Sequence, residues 1–188
     1  MAVIACTAAI GDESWTIERI VAVVDAQPVF LSEVRSWARL RKVDRKVALE
    51  ALIDEMLMYR EALRFPPAHA TPEEEEAALA SLMKSDMLVP DLDESDLRRT
   101  ARRQATILKY IAMRLEPQIR IDPEMIRRRW EEEYVRSAVA PTFESVSERI
   151  ERRLREQAMD RRIEAWVRAL RQEAQIRYND ASVEDNQR

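Results

Sequence analysis

A single glycine, Gly11, serves this chain of 188 residues. Tight hairpins and most sheet-rich folds use residues with positive φ, a role glycine fills at the least steric cost. A β-dominated architecture is therefore excluded, and so is a glycine-rich phosphate loop. Prolines do the punctuation instead, standing between stretches of helical periodicity. One Cys and one His exclude a disulfide framework, zinc ribbons and histidine-based metal centres built within one chain. No apolar run reaches the roughly 18 residues that span a bilayer. The expectation is a soluble, nearly all-helical chain without cofactor or metal.

The formal charge of -4 and isoelectric point near 5.3 do not describe a polyanion trap. Basic clusters such as Arg98-Arg99, Arg102-Arg103, Arg127-Arg128-Arg129, Arg152-Arg153 and Arg161-Arg162 each lie among carboxylates. They read as solvated helix faces laced with i,i+4 ion pairs, and no nucleic-acid partner is expected. Residues 1–17 read either as a leader of no structural role or as a truncated export signal. Residues 2–10 are small and apolar, and no Lys or Arg accompanies Met1. Val3-Ile4-Ala5-Cys6 is similar to a lipoprotein cleavage box, but Cys6 lies too close to the start to be processed for a lipid anchor.

Ile20-Val21-Ala22-Val23-Val24 and Pro28-Val29-Phe30 read as a small hairpin turning through Asp25-Ala26-Gln27. Pro28 cannot donate to a ladder, so it must face an open side or begin its strand. Ser32 is expected to cap a helix that carries Val34, Trp37, Ala38 and Leu40 inward. Asp44 caps the next, whose core face is Leu49, Leu52, Ile53, Met56, Leu57 and Leu63. Thr71-Pro72-Glu73-Glu74 is a helix start with a capping box, and its acidic first turn is expected to be exposed. That helix runs to about Lys84, with a loop over 86–93. Leu97, Ala101, Ala105, Leu108, Ile111 and Leu115 mark a long helix ending before Pro117. Asp122-Pro123-Glu124 restarts helix and buries Met125, Ile126, Trp130 and Tyr134. Thr142 caps the last helix, which continues to about Ala174 with one apolar stripe of Phe143, Val146, Ile150, Leu154 and Ala158. A second stripe, Met159, Ile163, Trp166, Val167 and Leu170, is displaced around the axis. Gln175-Ile176-Arg177-Tyr178 then alternates like a strand. A lone strand leaves its backbone groups unpaired, so it must join the hairpin and bring the last helix onto the N-terminal helices.

Residues 20–34, from Ile20-Val21-Ala22 to Ser32-Glu33-Val34, resemble the opening of the SurA-like periplasmic chaperones. Leu52-Ile53-Asp54-Glu55-Met56-Leu57 resembles that family's second helix, and Ile121-Asp122-Pro123-Glu124-Met125-Ile126 its exit from the N-terminal domain. The stretch from Phe143-Glu144-Ser145-Val146 to Ala174-Gln175-Ile176 resembles the closing helix and strand. Two departures stand out. Ala26 occupies the place of the usual turn glycine, which leaves the turn type open. Relatives commonly insert parvulin-type prolyl isomerase domains before the last helix, whereas here the junction is Arg136-Ser137-Ala138-Val139-Ala140. A parvulin domain needs on the order of 90 residues, near the lower end of domain sizes, and its site uses a histidine pair. The only histidine, His69, lies in a loop.

The resemblance implies a mostly α fold: a multi-helix chaperone domain over 18–180, with 18–135 its N-terminal part and 141–180 the closing helix and strand. Residues 181–188 form a polar tail. It implies periplasmic localisation and ATP-independent binding of unfolded or outer-membrane polypeptides in an apolar groove. No catalytic residues and no isomerase activity are expected. Peptide-binding candidates are apolar residues at loops or off the helical rhythm: Met83, Met87, Leu88, Val89, Trp130 and Tyr134. The alternative is a helical adaptor or structural protein with one dedicated partner, or a homodimer formed along the Trp166 stripe.

Overall fold

The computed structural model describes residues 18–84, 94–134 and 141–179. It is mostly helical, with six α-helices and one small antiparallel sheet among these residues. Strand β1 (Ile20–Val24) lies between β2 (Gln27–Phe30) and β3 (Ile176–Tyr178), in the order β2-β1-β3. The chain's last strand therefore closes the open side of its first, pairing Val24 with Ile176 and Ala22 with Tyr178. Pro28 is tolerated because β2 is an edge strand.

The hairpin turn is tighter than the sequence suggests, since Gln27 already pairs with Val24. Asp25, not Ala26, takes the positive φ of 54°. Aspartate tolerates that region, which explains how the turn dispenses with glycine. Asp25 also ties the turn to the far end of the chain. Its N–H donates to the Gln175 carbonyl at 2.7 Å, and its Oδ1 accepts from the Gln175 N–H at 2.7 Å. Its other oxygen accepts from Arg60.

Helix α1 (Leu31–Arg41) follows β2 without a loop. Extended Phe30 is therefore the cap position, and Ser32, the cap expected from sequence, lies inside the first turn. The Phe30 N–H donates to the Glu33 carboxylate at 3.1 Å. Helix α2 (Arg45–Leu63) begins as expected, with Asp44 Oδ1 accepting from the Val47 N–H at 2.9 Å. Leu49, Leu52, Ile53 and Leu57 are buried in the main core with Val21, Val24, Val29, Val34 and Leu170. Leu63, assigned to that face, is exposed because it lies at the last residue of the helix.

Helix α3 (Pro72–Lys84) starts with the full capping box: Glu74 N–H to Thr71 Oγ1 at 3.3 Å, and Thr71 N–H to Glu74 Oε2 at 2.8 Å. Helix α4 (Glu94–Tyr110) packs along it, then widens into a π-helical turn at Ile111–Leu115. Pro117 has no N–H for the Met113 carbonyl four residues back, and the next carbonyl, that of Arg114, accepts from the Gln118 side chain. Leu97, Ala101 and Leu115 are buried as the spacing suggests, but between them Ile107 and Tyr110 face inward and Leu108 is 64% exposed. The packing against α2 and α3 selects that phase.

Helix α5 (Pro123–Tyr134) and the first half of α6 (Phe143–Glu173) pack together around Ile126, Val146, Ile150 and Leu154. Asp122 Oδ1 accepts from the Glu124 N–H at 2.9 Å. Met125, expected inside, is exposed, because Ile126 takes the inward position beside it. At Thr142 the backbone rather than the side chain meets the first turn, its carbonyl accepting from the Ser145 N–H at 3.1 Å. Helix α6 has 31 residues, about 46 Å at 1.5 Å per residue, enough to serve two bodies in turn. Its first stripe builds the pair with α5. Its second brings Trp166 onto Tyr110, stacked at 5.0 Å, and Leu170 into the main core. Arg171 clamps the end of α6 to α2, donating to the Asp54 carboxylate and to the Glu50 carbonyl at 3.1 Å. Tyr178 on β3 adds a hydrogen bond to Glu50 Oε2 at 3.2 Å.

The Gln175 N–H, and after it the Arg60 guanidinium, hold the Asp25 carboxyl below its ordinary range. A carboxyl depressed in the folded state contributes stability above its unfolded pKa, and that contribution is lost as pH falls through the folded value. The melting temperature of the wild type should drop more steeply below about pH 4 than that of Asp25→Asn, which keeps the positive φ accessible but removes the charge. Parallel acid limbs would show that Asp25 does not couple the two ends.

Candidate functional site

A groove runs between α3 and α4. It encloses about 440 Å³ and is lined by Pro72, Glu75, Glu76, Leu79, Ser95, Arg98, Arg99 and Arg102. That volume falls within the range of ligand sites, roughly 300–1,000 Å³. Leu79 lies in its floor and is only 4% exposed, whereas Met83, one turn further along the same helix face, is 50% exposed. Beneath the groove Leu79, Leu82, Leu97, Ala101 and Leu40 form a buried cluster that fixes the spacing of the two helices.

The rim is charged and internally paired. Arg102 Nε meets Glu75 Oε1 at 2.8 Å, Arg98 Nη1 meets Glu76 Oε2 at 3.4 Å, and Lys109 Nζ meets Glu74 Oε2 at 2.8 Å. The acidic first turn is exposed at Glu73, Glu74 and Glu76 as expected, and it also pairs with the basic face of α4. Lys109 first, and the Thr71 N–H second, lower the Glu74 pKa. The hydrogen bond that Arg102 donates to Glu75 raises the guanidinium's own pKa, as Glu94 and Glu76 raise that of Arg98. At neutral pH the rim therefore carries fixed, alternating charges that can offer donors and acceptors to a polypeptide backbone.

Of the residues expected to bind peptide, Met83 lies on this face. Met87, Leu88 and Val89 fall outside the described residues, in the segment that joins α3 to α4. Trp130 and Tyr134 belong to a different cluster, between α5 and α6. Trp130 Nε1 donates to the Pro141 carbonyl at 3.1 Å and its ring meets Phe143 edge-on at 6.0 Å. The Tyr134 hydroxyl accepts from Arg149 at 3.1 Å. Both are half-buried and engaged within the helix pair. Trp166, proposed from the sequence as part of a seam open to a second chain, is stacked on Tyr110. His69 is held by its neighbours: its Nε2 lies 3.0 Å from the Leu63 carbonyl, and its own carbonyl accepts from Lys109 at 3.1 Å.

Three exposed apolar residues escaped the periodicity argument because they had been assigned to the core or to no face: Leu108, Met113 and Met125. Leu108, Ala112 and Met113 are all exposed along the end of α4 and its π turn.

A second, much smaller crevice lies between α1 and α4, where Trp37, Leu40, Leu52 and Arg103 are among the lining residues. Close to it Glu55, only 6% exposed, accepts from Trp37 Nε1 at 3.3 Å. Its other oxygen lies 2.8 Å from Arg103 Nε, off the hydrogen-bond direction. This pair ties α4 to α2. Comparison of the chain with protein-family models and with curated proteins returned no match.

Removing one member of a buried ion pair leaves a charge without compensation. Arg103→Met should therefore cost about 3 kcal/mol in denaturant unfolding, and adding Glu55→Leu should recover most of it. Additive losses in the double variant would mean that the two charges do not act as a pair.

Proposed function

We propose that this chain is an ATP-independent chaperone of SurA-like type, which holds unfolded or outer-membrane polypeptides in the periplasm without isomerising their prolines. The observation that carries this reading is the α3–α4 groove, with paired charges at its rim, Leu79 in its floor and exposed Met83 one helical turn beyond. An extended client would lay apolar side chains on exposed Met83, while Arg98, Arg102, Glu75 and Glu76 meet its unpaired N–H and carbonyl groups. Methionine suits this task because its side chain is unbranched and polarisable, and adapts to clients of different shape. The solvated rim keeps each polar contact weak, so that clients leave without an energy source.

The order of elements supports the same reading. The chain enters by a hairpin, builds four helices, passes through α5, and returns by a long helix and strand to the sheet where it began, as the resemblance implies.

Purified protein should suppress aggregation of several unrelated unfolded proteins, which compete with one another for it, and should leave proline-peptide exchange at its uncatalysed tens to hundreds of seconds. Met83→Ser combined with Met87→Ser and Leu88→Ser should weaken client binding roughly tenfold or more, from lost apolar burial, with helicity unchanged by circular dichroism. Full suppression by this variant would remove these residues from the site, and binding of one partner only would replace the chaperone by an adaptor.

A further inference from the structure

The elbow between α1 and α2 concentrates positive charge. Within residues 35–46 stand Arg35, Arg39, Arg41, Lys42, Arg45 and Lys46, against one carboxylate, Asp44. Asp44 is occupied as the cap of α2. Lys42 takes a positive φ of 54°, and this reversal folds the last turns of α1 against the first turn of α2. The result is a cleft of about 460 Å³ lined by Arg35, Ala38, Arg39, Val43, Asp44 and Arg45.

Several arginines elsewhere on the surface are ion-paired, among them Arg98, Arg102, Arg153 and Arg171. Among the described residues no carboxylate forms an ion pair with Arg35, Arg39, Arg45 or Lys46, and the buried Nε of Arg35 has no hydrogen-bond partner. Arg45 and Lys46 also stand at the positive end of the α2 dipole, in a first turn without acidic residues, where cations are disfavoured. Such an arrangement is stabilised by an anion from outside the chain.

Beside these cations Val43 and Val47 are 36% and 49% exposed. We propose that the elbow docks on the anionic headgroup face of a lipid bilayer, its arginines and lysines on phosphates and its two valines at the acyl boundary. Cations clustered around short exposed apolar side chains suit such a surface. The cleft lining offers no aromatic platform for nucleic-acid bases, and its only apolar members, Ala38 and Val43, are too small to anchor a peptide. This site is distinct from the α3–α4 groove and does not depend on the chaperone reading.

Co-sedimentation with vesicles tests it. The full chain should bind phosphatidylcholine mixed with phosphatidylglycerol, should not bind phosphatidylcholine alone, and should release as salt is raised. Each basic residue near an anionic surface strengthens binding about fivefold, so Arg35→Gln with Arg39→Gln and Arg45→Gln should lose on the order of 100-fold. Because Arg35 is half-buried, the exposed pair Arg39→Gln and Lys46→Gln provides a second variant, expected to lose roughly 30-fold with unchanged circular dichroism. Equal binding to neutral vesicles, or variants that bind like the wild type, would overturn the proposal. So would complete displacement by inorganic phosphate, which would mark an isolated phosphate pocket, or by duplex DNA, which would mark a nucleic-acid surface.

Discussion

The fold depends on a strand of three residues finding its partner across nearly the whole chain. Without β3 the open edge of β1 would present unpaired N–H and carbonyl groups, and α6 would have no anchor at its C-terminal end. With it, Asp25 and Gln175 exchange backbone and side-chain hydrogen bonds at 2.7 Å, and Asn179 N–H reaches the Val21 carbonyl at 2.9 Å. Leu170 then enters the same core as Val21 and Leu52, and Arg171 secures the helix to Asp54 and Glu50. The main core is thus built from both ends of the described chain, and local segments cannot complete it alone.

That closure also explains why α6 is so long. Its C-terminal half belongs to the main core and its N-terminal half to α5, so one continuous rod couples two packed bodies. The aromatic contact of Trp166 with Tyr110 lies between these duties, where α6 passes the end of α4. Helices α3 and α4, by contrast, are joined to α1 and α2 through Leu40, Glu55 and Arg103. Their groove therefore rests on a scaffold already held together by the sheet and α2.

Much of this was legible because the signals were local. The Asp44 cap and the Thr71–Glu74 box each involve groups within three residues, and both form as read. The pairing of β3 with the hairpin was legible for another reason: the chain has so few strands that backbone satisfaction left it one place to go. Where reading failed, the deciding force lay outside the segment. Ile107 and Leu108 are adjacent apolar residues on α4, and only the packing of α2 and α3 selects the first for the interior. Ser32 looks like a cap in sequence, but β2 runs directly into α1 and hands that position to Phe30. Of the candidate site, Met83 could be found from its place at a helix end, whereas Trp130 and Tyr134 are taken up by packing against α6. The rim of the groove was visible only as separate acidic and basic runs, because nothing in one dimension shows that Glu75 and Arg102 will meet. The basic elbow was missed in the same way, since its cations are spread over two helices and converge only at the Lys42 reversal.

Native-state hydrogen exchange reads the closure most directly, because it reports the free energy at which each amide opens. If both ends complete one core, the amides of Asp25 and Asn179, which bridge β1 and the β3 segment, will exchange with the same opening free energy as the amides around Leu52 and Ile53 in α2. Exchange of Asp25 and Asn179 through a separate, lower-energy opening while α2 stays protected would contradict it, and would mean that α6 and β3 rest on a core that already stands without them.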